Sequence, residues 1–410
     1  MLPDIYFFNP TCELAIANGS PYYTAPARLR KFEEELAFLP AWLGRECDQV
    51  LVRGDVDILF MERMERLGFK LATPIGMTDA LADPVWLSQP KGMLVPWGWS
   101  PALYHLFKPV MPTFCEDFLH SSVGKWMLGH KNLYSRLSGI ALLSKIVGNA
   151  MCTWIPVHSE IPVVGDTLAK IYREIERHTK AVVKSPWSSS GRGLLLFPNP
   201  DQQKKNEEVL SGMLNQQGFV TVEPWLEKVM DLSYQFQSNG GKISYKGRTI
   251  FETDQKGRYL RNFLHDSPKF SAEINVFLAE HHSEVISLLN EALSVSGYAS
   301  QYEGWIGVDA LIYRTVEGNL KFHPMVEING RFTMGAIALK VRSHLADRSQ
   351  GFMQIFYSKK SSFYDFCKGK EIEMPLIMKN HKIVSGFLPL TPPHKEHHFG
   401  AFVEVMSDEL

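Results

Sequence analysis

Residues 304–331 read GWIGVDALIYRTVEGNLKFHPMVEINGR. Two β-patterned runs, WIGVDALIY and LKFHPMVEI, flank a turn signal at Glu317, Gly318 and Asn319. Side chains two apart on a strand share a face, so Glu327, Asn329 and Arg331 project together. If residues 317–319 form a three-residue hairpin turn, Asp309 stands directly across from Glu327, with Cβ atoms about 5 Å apart. Opposed carboxylates repel, so one must be protonated or a cation must sit between them. With Asn329 the donors are all oxygen, a set that suits Mg²⁺ or Mn²⁺. For this stretch alone, a solvent-facing strand with alternating polar residues is the plainer alternative.

Two other stretches bear on that choice. AVVKSPWSSSGRGLLLF (181–197) is a β-run ending in Lys184, a Ser/Gly loop and a second β-run. A lysine closing an apolar strand implies an anion that meets it. Backbone N–H groups of Ser188, Ser189, Ser190, Gly191 and Gly193 could close over phosphate oxygens; a hairpin with a polar tip is the alternative. The GxxxxGK[ST] phosphate loop is absent here, and LHSSVGKW (119–126) fails it too. VTVEPWLEKV (220–229) is a β-run broken at Pro224, placed where a linker between two units could hold a purine. Glu223 would accept from its amine, and backbone groups near Trp225 and Leu226 would read its edge.

Around these stretches the chain is ordinary for a globular protein: 410 residues, 45% hydrophobic, 21% charged. A net charge of −1 gives no support to electrostatic binding of nucleic acid or a membrane surface. Five widely spaced cysteines without a CxxC pair fit a reducing compartment. MLPDIYFF lacks the basic start of a signal peptide, and the expectation is a cytoplasmic protein. The first third alternates strands (DIYFF, DQVLVRG, FKLAT) with helices, which implies a Rossmann-like parallel sheet without a GxGxxG fingerprint. A block built from CTWIPV, AVVKS, LLLF and FVTVEPWL, with two intervening helices, predicts a small α+β unit. The rest mixes long strands with a helix through SEVISLLNEALSVS.

Taken in order, the lysine-ended strand with its Ser/Gly loop, the E-x-x-L hinge, the GxD strand and EINGR resemble the ATP-grasp superfamily. The resemblance spans about residues 120–340, and the amino-terminal unit looks like the pre-ATP-grasp domain that usually precedes it. It implies an α/β (α+β) fold: a Rossmann-like domain at 1–120, a small subdomain at 121–226 and a large subdomain at 227–410, with ATP between the last two. It also implies an ADP-forming ligase that joins a carboxylate to an amine through an acyl phosphate. A phosphotransferase on the same scaffold and a non-catalytic ATP-binding module are the alternatives.

Residue by residue, the resemblance implies phosphate contacts for Lys131 and Lys184 and for the loop Ser189, Ser190 and Gly191. It assigns adenine to Glu223, Trp225 and Leu226, ribose or an outer metal contact to Asp231, and a pair of Mg²⁺ or Mn²⁺ ions to Asp309, Glu327 and Asn329. Arg331 would stabilise the transferring phosphoryl group, with Lys184 beside it. EINGR carries Gly330 where the family more often has proline. Asn9 and Glu13, which follow the first strand, and Arg192 and Arg261 are the candidates for substrate contacts. Partners are expected to be small molecules.

Overall fold

The computed structural model describes residues 1–149, 152–188, 193–199, 206–255, 257–265 and 270–407. Its first unit is a parallel sheet of β1 (Ile5–Phe7), β2 (Gln49–Val52), β3 (Thr73–Gly76) and β4 (Leu94–Pro96), in the order β3-β2-β1-β4. The chain winds outward from β1 to β3 and then returns to β1's other side. The carboxyl ends of β1 and β4 therefore flank a topological switch point, where open α/β sheets bind ligands. The strand expected at 69–73 begins only at Thr73. Phe69 packs edge-on against Trp42, ring centroids 5.2 Å apart, instead of pairing, and Pro74 is tolerated because β3 is an edge strand.

The second unit is a small antiparallel sheet of β5 (Val163–Gly165), β6 (Ala181–Lys184), β7 (Leu194–Phe197) and β8 (Val220–Pro224), in the order β5-β8-β6-β7. Helices Leu168–Ile175 and Glu207–Gln217 cover it around Ile171, Val183, Phe197, Leu210 and Val222. The strand expected in CTWIPV does not form. Trp154 stacks on His281 at 4.3 Å instead, and the strand in this position is β5.

The third unit is a nine-stranded antiparallel sheet: β9 (Glu227–Asn239), β10 (Lys242–Thr253), β11 (Tyr259–Phe263), β12 (Gly304–Arg314), β13 (Leu320–Asn329), β14 (Ser349–Tyr357), β15 (Ile377–Lys379), β16 (Lys382–Pro389) and β17 (Phe399–Ser407). Its order is β13-β12-β9-β10-β11-β14-β17-β16-β15. One face supplies Leu232, Tyr234, Val308 and Ile312 to a core shared with Leu142 and Leu143 of helix Arg136–Asn149 and Leu289 of helix Ala272–Ser294. The opposite face carries Ser233, Gln235 and Asp309. Among the described residues no helix is long and apolar enough to cross a membrane, and all five cysteines are unpaired.

The β12–β13 hairpin reaches the expected pairing by an unexpected route. Thr315 bonds Asn319, so the loop is residues 316–318, one position earlier than the sequence implies. Leu311 then pairs with His323, yet Asp309 pairs with Glu327, because the register shifts between them. The extra residues lie in β13 around Pro324, which has no N–H to give the ladder and so favours a bulge. That bulge restores Asp309 opposite Glu327.

Helix Met334–Arg342 packs over the polar face at Gly335. A Cβ there would lie 2.8 Å from the Gln235 amide and 2.9 Å from the Thr249 hydroxyl. Gly335→Ala gains up to about 1 kcal/mol of helix propensity and loses about 1–3 kcal/mol to overpacking. Gln235 is held by its own hydrogen bonds, so the loss should win. Denaturant unfolding is expected to show a lower midpoint for the variant; a higher one would contradict the packing described.

Candidate active site

A chain of buried hydrogen bonds runs along the polar face. Trp305 Nε1 and Thr333 Oγ1 donate to Gln235 Oε1 at 2.7 and 3.0 Å. Gln235 donates to Ser233 Oγ at 2.8 Å, and Ser233 to Asp309 Oδ1 at 2.7 Å. Asn329 donates to Asp309 Oδ2 at 3.1 Å and accepts from Arg331 at 2.7 Å. Gln235, Ser233 and Asn329 are 0%, 3% and 3% exposed, while Trp305, Asp309, Arg331 and Thr333 are half-buried, so the network runs from the interior to the cleft. Its alternation was present in the sequence as Asp231, Ser233 and Gln235, the same period of two that marks Glu327, Asn329 and Arg331.

Burial, reinforced by the opposed Glu327, pushes the Asp309 carboxyl up to about 7, against the hydrogen bond from Ser233 and the nearby Arg331. Glu327 is met by Arg136 at 3.1 Å, a residue for which the sequence carried no signal. The donor set is two carboxylates and an amide oxygen on neighbouring strands. Among the described residues no group of three or more His, Cys, Asp or Glu could hold a metal. A small set of hard oxygens nevertheless fits Mg²⁺ or Mn²⁺, which take one or two carboxylates and complete their shells with phosphate and water.

Arg331 is presented jointly by two units. Its Nε pairs with Glu13 at 2.9 Å, on the helix that follows β1. Gly98 bridges to Arg331, and Phe332 donates its amide to the Trp97 carbonyl at 2.9 Å. Phe332 lies between Trp97 and Trp305, ring centroids 5.9 and 5.5 Å away. Tyr302 donates to the Gly330 carbonyl at 2.8 Å, which supplies the stiffness a proline would give.

Across the cleft, Lys184 at the end of β6 is ion-paired with Glu223 of β8. Burial, reinforced by Lys184, lowers His323 to about 3 and keeps it neutral. The Lys131 ammonium stands 4.7 Å from the centre of the Trp187 ring, whose Nε1 donates to the Lys131 carbonyl at 3.0 Å.

Other expected residues are placed differently. The Asn9 amide clamps the Gly98 backbone through bonds of 2.7 and 3.2 Å, so it holds the β1 and β4 loops together and is not open to a substrate. Arg261 pairs with Glu252 at 2.8 Å; both project from the face opposite Ser233 and Asp309, away from the site. The Trp225 amide already donates to the Lys180 carbonyl at 2.9 Å and is not open to a base edge. Asp231 lies on the polar face, engaged by Lys228 and by Thr253 at 3.0 Å. Ser189, Ser190, Gly191 and Arg192 lie outside the described residues.

The sequence matches no family model and no curated protein. Its fold is similar to N5-carboxyaminoimidazole synthetase from Staphylococcus aureus, at 11% identity over 99% of this chain and 94% of that one, TM-score 0.50. It is also similar to N5-carboxyaminoimidazole ribonucleotide synthetase from Thermus thermophilus, at 10% identity over 100% and 94%, TM-score 0.50. The fold is ATP-grasp. A third ATP-grasp neighbour is the biotin carboxylase domain of Hydrogenobacter thermophilus 2-oxoglutarate carboxylase, at 12% identity over 68% of this chain and 63% of that one, TM-score 0.41. Identities this low show the ATP-grasp fold alone.

The Asp309 shift has a measurable consequence. Between its ordinary value of 3.8 and about 7 the folded chain holds a proton the unfolded chain has released. Its contribution to stability is therefore fully present below pH 4 and falls as pH rises to 7. In chelator-treated protein, Asp309→Asn is expected to flatten the stability–pH curve over pH 4–7 and to raise the melting temperature at pH 8. Parallel curves for variant and wild type would contradict the assignment.

Proposed function

We propose that the protein is an ATP-dependent ligase that joins a carboxylate to an amine or similar nucleophile, forming ADP and phosphate. The observation that carries this is the face-to-face pair Asp309 and Glu327, flanked by Asn329 and Arg331, across a cleft from Lys184. In this reading Asp309, Glu327 and Asn329 hold the divalent cations of Mg·ATP, two in number, which supply charge neutralisation at the phosphates when bound. Lys131, Lys184 and Arg331 add fixed positive potential in a site poor in water. Glu223, with Leu226 beside it, faces the base. The neighbouring synthetases of S. aureus and T. thermophilus agree with a ligase assignment.

The substrate carboxylate oxygen attacks the γ-phosphorus in line. One O–P bond forms while the bond to the ADP oxygen breaks, leaving an acyl phosphate. The amine then attacks the acyl carbon, phosphate departs with the former carboxylate oxygen, and the amine's proton passes to solvent or a nearby base. In this reading Arg331 stabilises charge on the phosphoryl group, and its ion pair with Glu13 supports that role by fixing the direction of the guanidinium. No protein nucleophile takes part; Cys12 is buried, and burial pushes its thiol well above the usual range. The free cysteines suit a reducing compartment such as the cytoplasm.

ADP release measured with Mg·ATP and pooled carboxylates and amines tests the proposal. Turnover is expected in at least one pool, and Glu327→Gln should lower it by about 100-fold or more. Mass spectrometry should find a ligated product. A phosphorylated but unligated product would favour a phosphotransferase, and ATP binding without ADP formation in any pool would favour a non-catalytic module.

A further inference from the structure

A cavity of about 20 Å³ between the small and large sheets is lined by Arg136, Thr221, Glu223, Met325, Glu327 and Ile328 among others. That is room for roughly one water molecule, not for a nucleobase. Thr221 is 1% exposed, and its Oγ1 has no hydrogen-bond partner. A buried polar atom of this kind is costly unless something else meets it in another state.

Arg136 joins the two sheets beside this cavity. From the first turn of helix Arg136–Asn149, its guanidinium reaches Glu327 on β13 at 3.1 Å. The same group donates to the Ser185 carbonyl at 3.0 Å and the Ser188 hydroxyl at 3.4 Å, on the stem that follows β6. Its amide donates to the Pro186 carbonyl at 3.1 Å. One side chain, 9% exposed, thus ties the large sheet to the small one through a carboxylate of the candidate cation site.

We propose that Arg136 is a latch: in the nucleotide-free protein it neutralises Glu327 in place of a cation and holds the two sheets together. A divalent cation arriving with nucleotide engages Glu327 only by displacing it. Arg136 is a positioning residue in this account, and the account rests on the nucleotide site proposed above. The latch makes binding of free metal weak and binding of metal with nucleotide strong, because metal alone gains too little to release the guanidinium while phosphates offer it a new partner.

Mn²⁺ binding to the full-length protein, followed by electron paramagnetic resonance with and without ADP, tests the latch. Arg136→Gln and Arg136→Met both remove the charge, and either serves if the other fails to fold. Gln retains a donor for the Ser185 carbonyl. Without nucleotide, these variants are expected to bind Mn²⁺ about tenfold more tightly than wild type, or better. Arg136→Lys, which keeps the charge, is expected to stay near wild type. Equal affinity in wild type and the neutral variants, with Mn·ADP still bound, would overturn the latch alone. Absence of Mn²⁺ binding in every protein, with ADP present, would overturn the nucleotide site as well.

Discussion

Repulsion between the Asp309 and Glu327 carboxylates is the constraint around which the rest is arranged. A sheet gains nothing from two facing carboxylates, so their persistence requires compensation. The structure supplies it from three directions. Ser233 and Asn329 donate to Asp309, Arg136 pairs with Glu327, and Arg331 lends charge through Asn329. Burial still leaves Asp309 raised to about 7. A cation would complete what these hydrogen bonds only partly achieve.

The site belongs to no single unit. β12 and β13 supply the carboxylates, the small sheet supplies Lys184 and Glu223, and the amino-terminal unit supplies Glu13 and the Trp97–Gly98 backbone. The last contribution gives the parallel sheet a structural purpose. Its switch point lies against residues 330–332, so Arg331 is aimed by contacts from outside its own sheet. Changes in the amino-terminal loops would reach Arg331 without touching Asp309, Glu327 or Asn329.

Much of this was legible in the sequence, because period-two alternation of polar residues in an apolar strand reports a shared face directly. Glu327, Asn329 and Arg331 carry that signal, as do Ser233 and Gln235, while Asp309 follows from pairing across the hairpin. Other features depend on geometry that spacing does not encode. The hairpin loop was placed one residue late, and only the bulge at Pro324 returned the register to the expected pairing. Arg136 lies on a helix with no alternation to mark it. Arg261 looked like a free cation in sequence, yet it projects from the wrong face and pairs with Glu252. Asn9 is at the expected strand end but is consumed in clamping Gly98.

The central claim is that the facing carboxylates hold a nucleotide-bound cation. A crystal structure with Mn²⁺ and a non-hydrolysable ATP analogue, phased near the manganese edge, tests it most directly. The account predicts anomalous density between Asp309 and Glu327, within coordination distance of both carboxylates and of the analogue's phosphates. Manganese bound elsewhere, with the Asp309–Glu327 space filled by protein or water, would contradict it.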